Sequence, residues 1–147
     1  MSNAQVSVKM AKGKTPPAEE LKREFIRVPD GRYLAKITRI QDRTSERTGS
    51  KGVQVTLEII KGGMMGNAVF ENFPYDGVSQ KALEVATDRS KKLGRIFNLR
   101  LSGPGDILEN QDELLEQELI INVKNTEREY GGEIKTFTNV TKFEAGL

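Results

Sequence analysis

Val53-Gln54-Val55-Thr56-Leu57-Glu58-Ile59 alternates apolar and polar residues without a slip. A period of two puts Val53, Val55, Leu57 and Ile59 on one face of a β-strand and Gln54, Thr56 and Glu58 on the other. Upstream, Arg32 to Ile40 alternates too, with Tyr33, Ala35 and Ile37 on one face and Arg32, Leu34, Lys36 and Thr38 on the other. Pro29-Asp30-Gly31 is a turn signal before it. A polar loop from Asp42 to Gly52, carrying Arg43, Arg47 and Lys51, joins these two strands. Downstream, Lys61-Gly62-Gly63 and Gly66-Asn67 mark another turn. A third strand covers Ala68 to Phe73, and Tyr75-Asp76-Gly77 ends it.

The period then changes. From Ser79, an N-cap residue type, apolar residues recur at Leu83, Ala86, Leu93, Ile96 and Phe97. This spacing predicts a helix of about 15–18 residues. Ser102-Gly103-Pro104-Gly105 closes it, and a short acidic helix near Asp112 to Leu115 follows. Leu119, Ile121 and Val123 give the inner face of a fourth strand, Tyr130-Gly131-Gly132 a hairpin tip, and Thr136 to Phe143 a fifth strand. The expected fold is all-β with one capping helix: a five-stranded OB-type β-barrel in the order β1-β2-β3-α-β4-β5. An open α+β meander and an SH3-like barrel compete, but the long helix between strands three and four favours the OB order. Residues 1–28, with Lys9, Lys12 and Lys14 among small and polar residues and Pro16-Pro17 after them, read as a flexible basic N-terminal arm holding one short helix from Thr15. Residues 29–147 form the OB domain.

The 147 residues include no Cys and no His. Disulfides, thiol nucleophiles, Cys/His zinc sites and imidazole bases are thereby removed together. Gly13-Lys14-Thr15 is half a P-loop with Val8 where the first glycine belongs. Glu133-Ile134-Lys135 matches half of a metal-nuclease site, but no convincing partner acid precedes it. No segment has EF-hand spacing. A non-catalytic protein with no cofactor and no metal is expected. No apolar run approaches the roughly 18–20 residues of a membrane span, and no apolar signal core opens the chain, so a cytosolic protein with no membrane partner is expected.

Net charge is +2, unevenly spread: residues 1–52 carry 12 Lys/Arg against 6 Asp/Glu. Residues 106–118 hold six acids and no base. Such polarity suits a polyanion-binding face opposed by an acidic one. OB barrels bind oligonucleotides on strands two and three and with the loops joining strands 1–2 and 4–5. The first loop offers Arg43, Arg47 and Lys51; the second offers Arg128 and Tyr130, with Lys135 just past it. Arg32, Lys36 and Arg39 on strand one would line the floor between them. Phe70 and Phe73 have opposite parity, so one faces outward, and Tyr75 lies just beyond. Such aromatics serve single-strand binders as stacking platforms.

Several stretches are familiar together: Val28-Pro-Asp-Gly-Arg-Tyr33 with Ala35 and Ile37, Thr48-Gly-Ser-Lys-Gly52, Val55-Thr-Leu-Glu-Ile59 and Gly66-Asn-Ala-Val-Phe-Glu-Asn-Phe73. Leu93-Gly-Arg-Ile96, Asp112-Glu-Leu114, Leu119-Ile-Ile-Asn-Val123, Asn139-Val140 and Phe143 complete the set. From about Val28 to Phe143 the chain resembles a family of small phage-encoded proteins, long catalogued as domains of unknown function and related to phage single-stranded DNA-binding proteins. The resemblance implies an OB fold and a non-catalytic role on single-stranded DNA in the bacterial host cytoplasm, beside phage or host replication and recombination proteins. It supplies no catalytic residues. An adaptor for a replication protein, drawing on the acidic segment, is the alternative; a nuclease using Glu133 and Lys135 is a third. Oligomeric state is open, and an exposed edge strand would allow a homo-oligomer.

Overall fold

The computed structural model describes residues 27–146. The N-terminal arm and its short helix therefore lie outside the described residues, save for Arg27 and Val28. The elements run β1 (Gly31–Thr44), β2 (Lys51–Ile59), β3 (Ala68–Asp76), α1 (Gln80–Ile96), α2 (Pro104–Glu109), α3 (Gln111–Leu114), β4 (Glu118–Tyr130) and β5 (Glu133–Ala145). The protein is mostly β, one five-stranded sheet ordered β3-β2-β1-β4-β5 with antiparallel neighbours. Beside the expected capping helix and the expected short acidic helix, here Gln111–Leu114, the described residues hold one further helix, because Pro104-Gly105 opens a short turn of helix where the sequence suggests only a break.

β1 is the hinge of the sheet. Its first part, Gly31 to Lys36, pairs with β4; Ala35 to Thr44 pairs with β2. An irregularity between Ile37 and Arg39 shifts its parity. Ala35 and Ile37 point inward before it and Ile40 after it. One extra residue thus re-aims every later side chain, which turns Arg39, Gln41 and Arg43 outward. β2 keeps its expected alternation, with Val53, Val55, Leu57 and Ile59 all buried. β3 buries Val69, Glu71 and Phe73 and exposes Ala68, Phe70 and Asn72.

The sheet's inner face closes on a core that includes Phe73, Leu93, Leu101, Ile107, Leu114 and Val140. Ser79 caps α1, its Oγ accepting from the Ala82 N–H at 3.1 Å. The helix buries Ala86, Ser90, Leu93 and Gly94. A Cβ on Gly94 would come 2.5 Å from the Leu99 carbonyl oxygen, so glycine lets the chain fold back across the helix end. Gly77 has φ 77° and leaves room for Ser50, whose Cα would stand 2.8 Å from an added Cβ.

No backbone ladder joins β3 to β5 among the described residues, so the sheet is open where a barrel was expected to close. Side chains span the gap. The Glu71 carboxylate accepts from the Val140 N–H at 3.1 Å and from Arg89 at 2.8 Å. The same Arg89 nitrogen donates to the Val140 carbonyl at 2.9 Å. The guanidinium sits 5.3 Å from the Phe73 ring centre and 5.2 Å from that of Phe143. An acid from β3 and a base from α1 thus meet the N–H and C=O of Val140, which a strand neighbour would otherwise have met.

Candidate functional site

Pairing across β1, β2 and β3 sets outward-facing residues in rows. Gln41, Gln54 and Asn72 form one row; Arg39, Thr56 and Phe70 form the next; Lys36, Glu58 and Ala68 form a third. Strands about 4.8 Å apart put Arg39 and Phe70 on either side of Thr56, roughly 10 Å apart at the backbone. Phe70 is 54% exposed, and Arg39 is exposed as well. The Gln41 side-chain amide donates to Gln54 Oε1 at 3.0 Å, and Arg43 donates to the same oxygen at 3.3 Å. That leaves an ordered polar strip ending in a guanidinium.

Beyond the strip the β1–β2 loop stands over a groove of 760 Å³, lined among others by Arg43, Arg47, Lys51, Gln54, Asn72 and Pro74. Among the described residues, Arg39, Arg43, Arg47 and Lys51 make no ion pair. Among the described residues, Glu46 is the one carboxylate on the groove wall. Tyr75 flanks it with its hydroxyl donating to Asp42 at 2.7 Å, and that bond to a carboxylate raises the phenol's pKa.

Other expected site residues are engaged elsewhere. Arg32 forms a two-pronged pair with Glu144, at 3.0 and 2.9 Å. Those bonds, with one from Asn122, hold the Glu144 carboxyl at about 2, and Arg32 is raised in turn. Lys36 pairs with Glu116 at 3.2 Å. Both charges have a carboxylate partner within the chain. Phe73 is 1% exposed, so its expected place as a stacking surface is corrected: β3's parity gives the outward position to Phe70.

Arg128, Tyr130 and Lys135 are not brought to the groove. The β4–β5 hairpin lies by the start of β1, and the β1–β2 loop lies at its end. Past Val123 and Val140 the hairpin continues as a two-stranded ribbon with no buried residue. Its pairing puts Lys124, Thr126, Arg128 and Tyr130 on one face with Glu133, Lys135, Phe137 and Asn139. Glu127, Glu129 and Ile134 take the opposite face. Tyr130 meets Phe137 edge to face, with ring centres 6.1 Å apart. Glu133 stands exposed at the tip, paired across the turn with Tyr130. No group of three or more His, Cys, Asp or Glu among the described residues is placed to hold a metal ion.

Sequence reasoning missed the amide row, because the irregularity in β1 hides the parity of Gln41 and Arg39. It missed Phe137 as well, which strand alternation alone does not mark as exposed.

A family model described as "Protein of unknown function (DUF669)" matches residues 17–145, a span that takes in every strand and helix above. The chain belongs to the DUF669 family. No curated protein matches it. DUF669 membership brings no assigned residue, so the face and the ribbon rest on their own chemistry. No helix among the described residues of this DUF669 chain is long and apolar enough to cross a membrane.

Proposed function

We propose that this protein binds single-stranded DNA, with little sequence preference and without catalysis, on the outer face of β1–β3. The observation that carries the reading is the company Phe70 keeps: an exposed aromatic on a polar strip, followed by four basic residues with no carboxylate partner among the described residues. Aromatic faces stack bases whatever their identity, and unpaired cations track phosphates. The strand order supports an OB-type arrangement, in which β3 and β5 become neighbours and the β2–β3 face holds the ligand. Here Glu71 and Arg89 stand in for that last ladder. The family likeness noted in the sequence extends the proposal to a phage protein acting in the bacterial cytoplasm during replication or recombination.

Fluorescence anisotropy with labelled single- and double-stranded oligonucleotides across a salt series tests this. Single strands should bind more tightly than duplex, with log K falling by about 0.7 per neutralised phosphate per log unit of salt. Arg39→Ala and Arg43→Ala should each flatten that slope by about 0.7. Phe70→Ala should weaken binding roughly 5- to 150-fold and leave the slope alone. Equal affinity for duplex, or no binding at low salt, would overturn the proposal.

A further inference from the structure

The ribbon beyond Val123 and Val140 has two sides facing away from its own ladder, and four hydrogen bonds fix which groups point there. The N–H and C=O of Val140 turn away from β4, to Glu71 and Arg89. The Thr136 carbonyl turns the same way, accepting from Arg27 at 3.4 Å. On β4 the Asn125 N–H turns away from β5, to Asp30 at 2.7 Å. Backbone directions alternate along an antiparallel strand. Ile134, Thr136 and Thr138 therefore present their N–H and C=O groups on the outer edge of β5. Among the described residues that edge has no strand beside it. Ile134, at its tip end, is 69% exposed.

We propose that a second copy of this chain covers this edge, β5 against β5, antiparallel about a twofold axis at Thr136. Only outward-facing residues can exchange hydrogen bonds, and symmetry then leaves few registers. An axis at Thr136 sets Thr136 against Thr136 and Ile134 against Thr138, using all three outward residues and displacing only the exposed 3.4 Å bond from Arg27 to the Thr136 carbonyl. It sets Lys135 beside Phe137 of the second copy, a cation against an aromatic face. An axis one residue earlier would set Lys135 against Lys135, which is destabilising. An axis one residue later would set Ile134 against Val140, whose N–H and C=O Glu71 and Arg89 already hold, and so loses the Ile134 pairs. Isolated two-stranded ribbons are marginal, and an open edge invites pairing; four strands answer both. The twofold axis is normal to the ribbon, so the Lys124, Arg128, Lys135 faces of the two copies adjoin. The pairing stands independently of the DNA-binding proposal.

Sedimentation velocity of the full chain, from low micromolar to submillimolar concentration, should show a monomer–dimer equilibrium. Thr136→Pro removes only an outward N–H in each copy and should raise the dissociation constant by about tenfold or more. Glu127→Pro, which removes an outward N–H on the β4 side instead, should leave it unchanged. The chain has no Cys, so single cysteines report the register. Thr136→Cys should form a disulfide-linked dimer, since α-carbons paired across the axis lie about 5.5 Å apart. Ile134→Cys and Thr138→Cys place like residues about 13 Å apart and should not cross-link. A wild-type monomer at every concentration, a Thr136→Pro dimer as tight as wild type, or equal cross-linking of the three cysteine variants would overturn the proposal.

Discussion

The body of the sheet and the ribbon that leaves it share two strands and obey different constraints. Within the body, β4 buries Leu119, Ile121 and Val123 and leaves the residues between them partly exposed. From Lys124 to Asn139 nothing is buried, and the alternation is mainly one of charge: Lys124, Arg128 and Lys135 with the tip acid Glu133 on one face, Glu127 and Glu129 on the other. In the body, a slip of one residue would expel the core. In the ribbon, a slip would only exchange charges. Register there rests on the Tyr130-Gly131-Gly132 turn and on the Asp30 and Asn125 bonds at its base, where the Asp30 carboxylate takes both the backbone and the side-chain N–H of Asn125. Those bonds lower the Asp30 pKa.

The contrast breaks most clearly with paired aromatic truncations. Phe73→Ala should cost about 3–5 kcal/mol in urea unfolding. Phe137→Ala should cost about 1 kcal/mol or less, because its ring is 40% exposed and packs on the ribbon surface rather than in the core. Similar costs would erase the distinction. Arg89→Ala should come next. It leaves the Glu71 carboxylate buried without its cation, and since Arg89 is 23% exposed, about 2–3 kcal/mol is expected, below the range for fully buried pairs. Glu71→Gln in that background should recover part of the loss, whereas Arg128→Ala on the ribbon should be close to silent.

The smallest effect is set by pH. Arg32 first, then Asn122, holds the Glu144 carboxyl at about 2 against an ordinary 4.5. A pKa lower in the folded than in the unfolded state contributes stability that is complete above the unfolded value and disappears as pH falls through the folded one. The gap in melting temperature between wild type and Glu144→Gln should therefore be widest near neutrality and close between about pH 4.5 and 2. A gap that does not change with pH would place the stabilisation in something other than that charge.

Much of the body was legible because burial imposes a period. β2 reads correctly residue by residue, and Ser79 marks the start of α1. The shift after Ile37 was not legible, since nothing local in Ile37-Thr38-Arg39 distinguishes an extra residue from a regular strand. Phe70 and Phe73 could be assigned to opposite faces but not to a particular one; only pairing with Thr56 and Val53 decides. Arg32 and Lys36 looked free because their acids, Glu144 and Glu116, come from distant parts of the chain. The ribbon was underestimated for the opposite reason. Its strands run to Tyr130 and from Glu133, but with no apolar period to mark them only the tip and the ends were visible.

The Glu71–Arg89 bridge makes one amide a reporter. The Val140 N–H is sheltered by a carboxylate rather than by a neighbouring strand, so its exchange with deuterium follows the rotation of two side chains. Amides within the β1–β2 ladder exchange only when the sheet itself opens. Solvent exchange at Val140 thus times the parting of β3 from β5 separately from unfolding, and a ligand that draws these strands together would slow that one amide before any other.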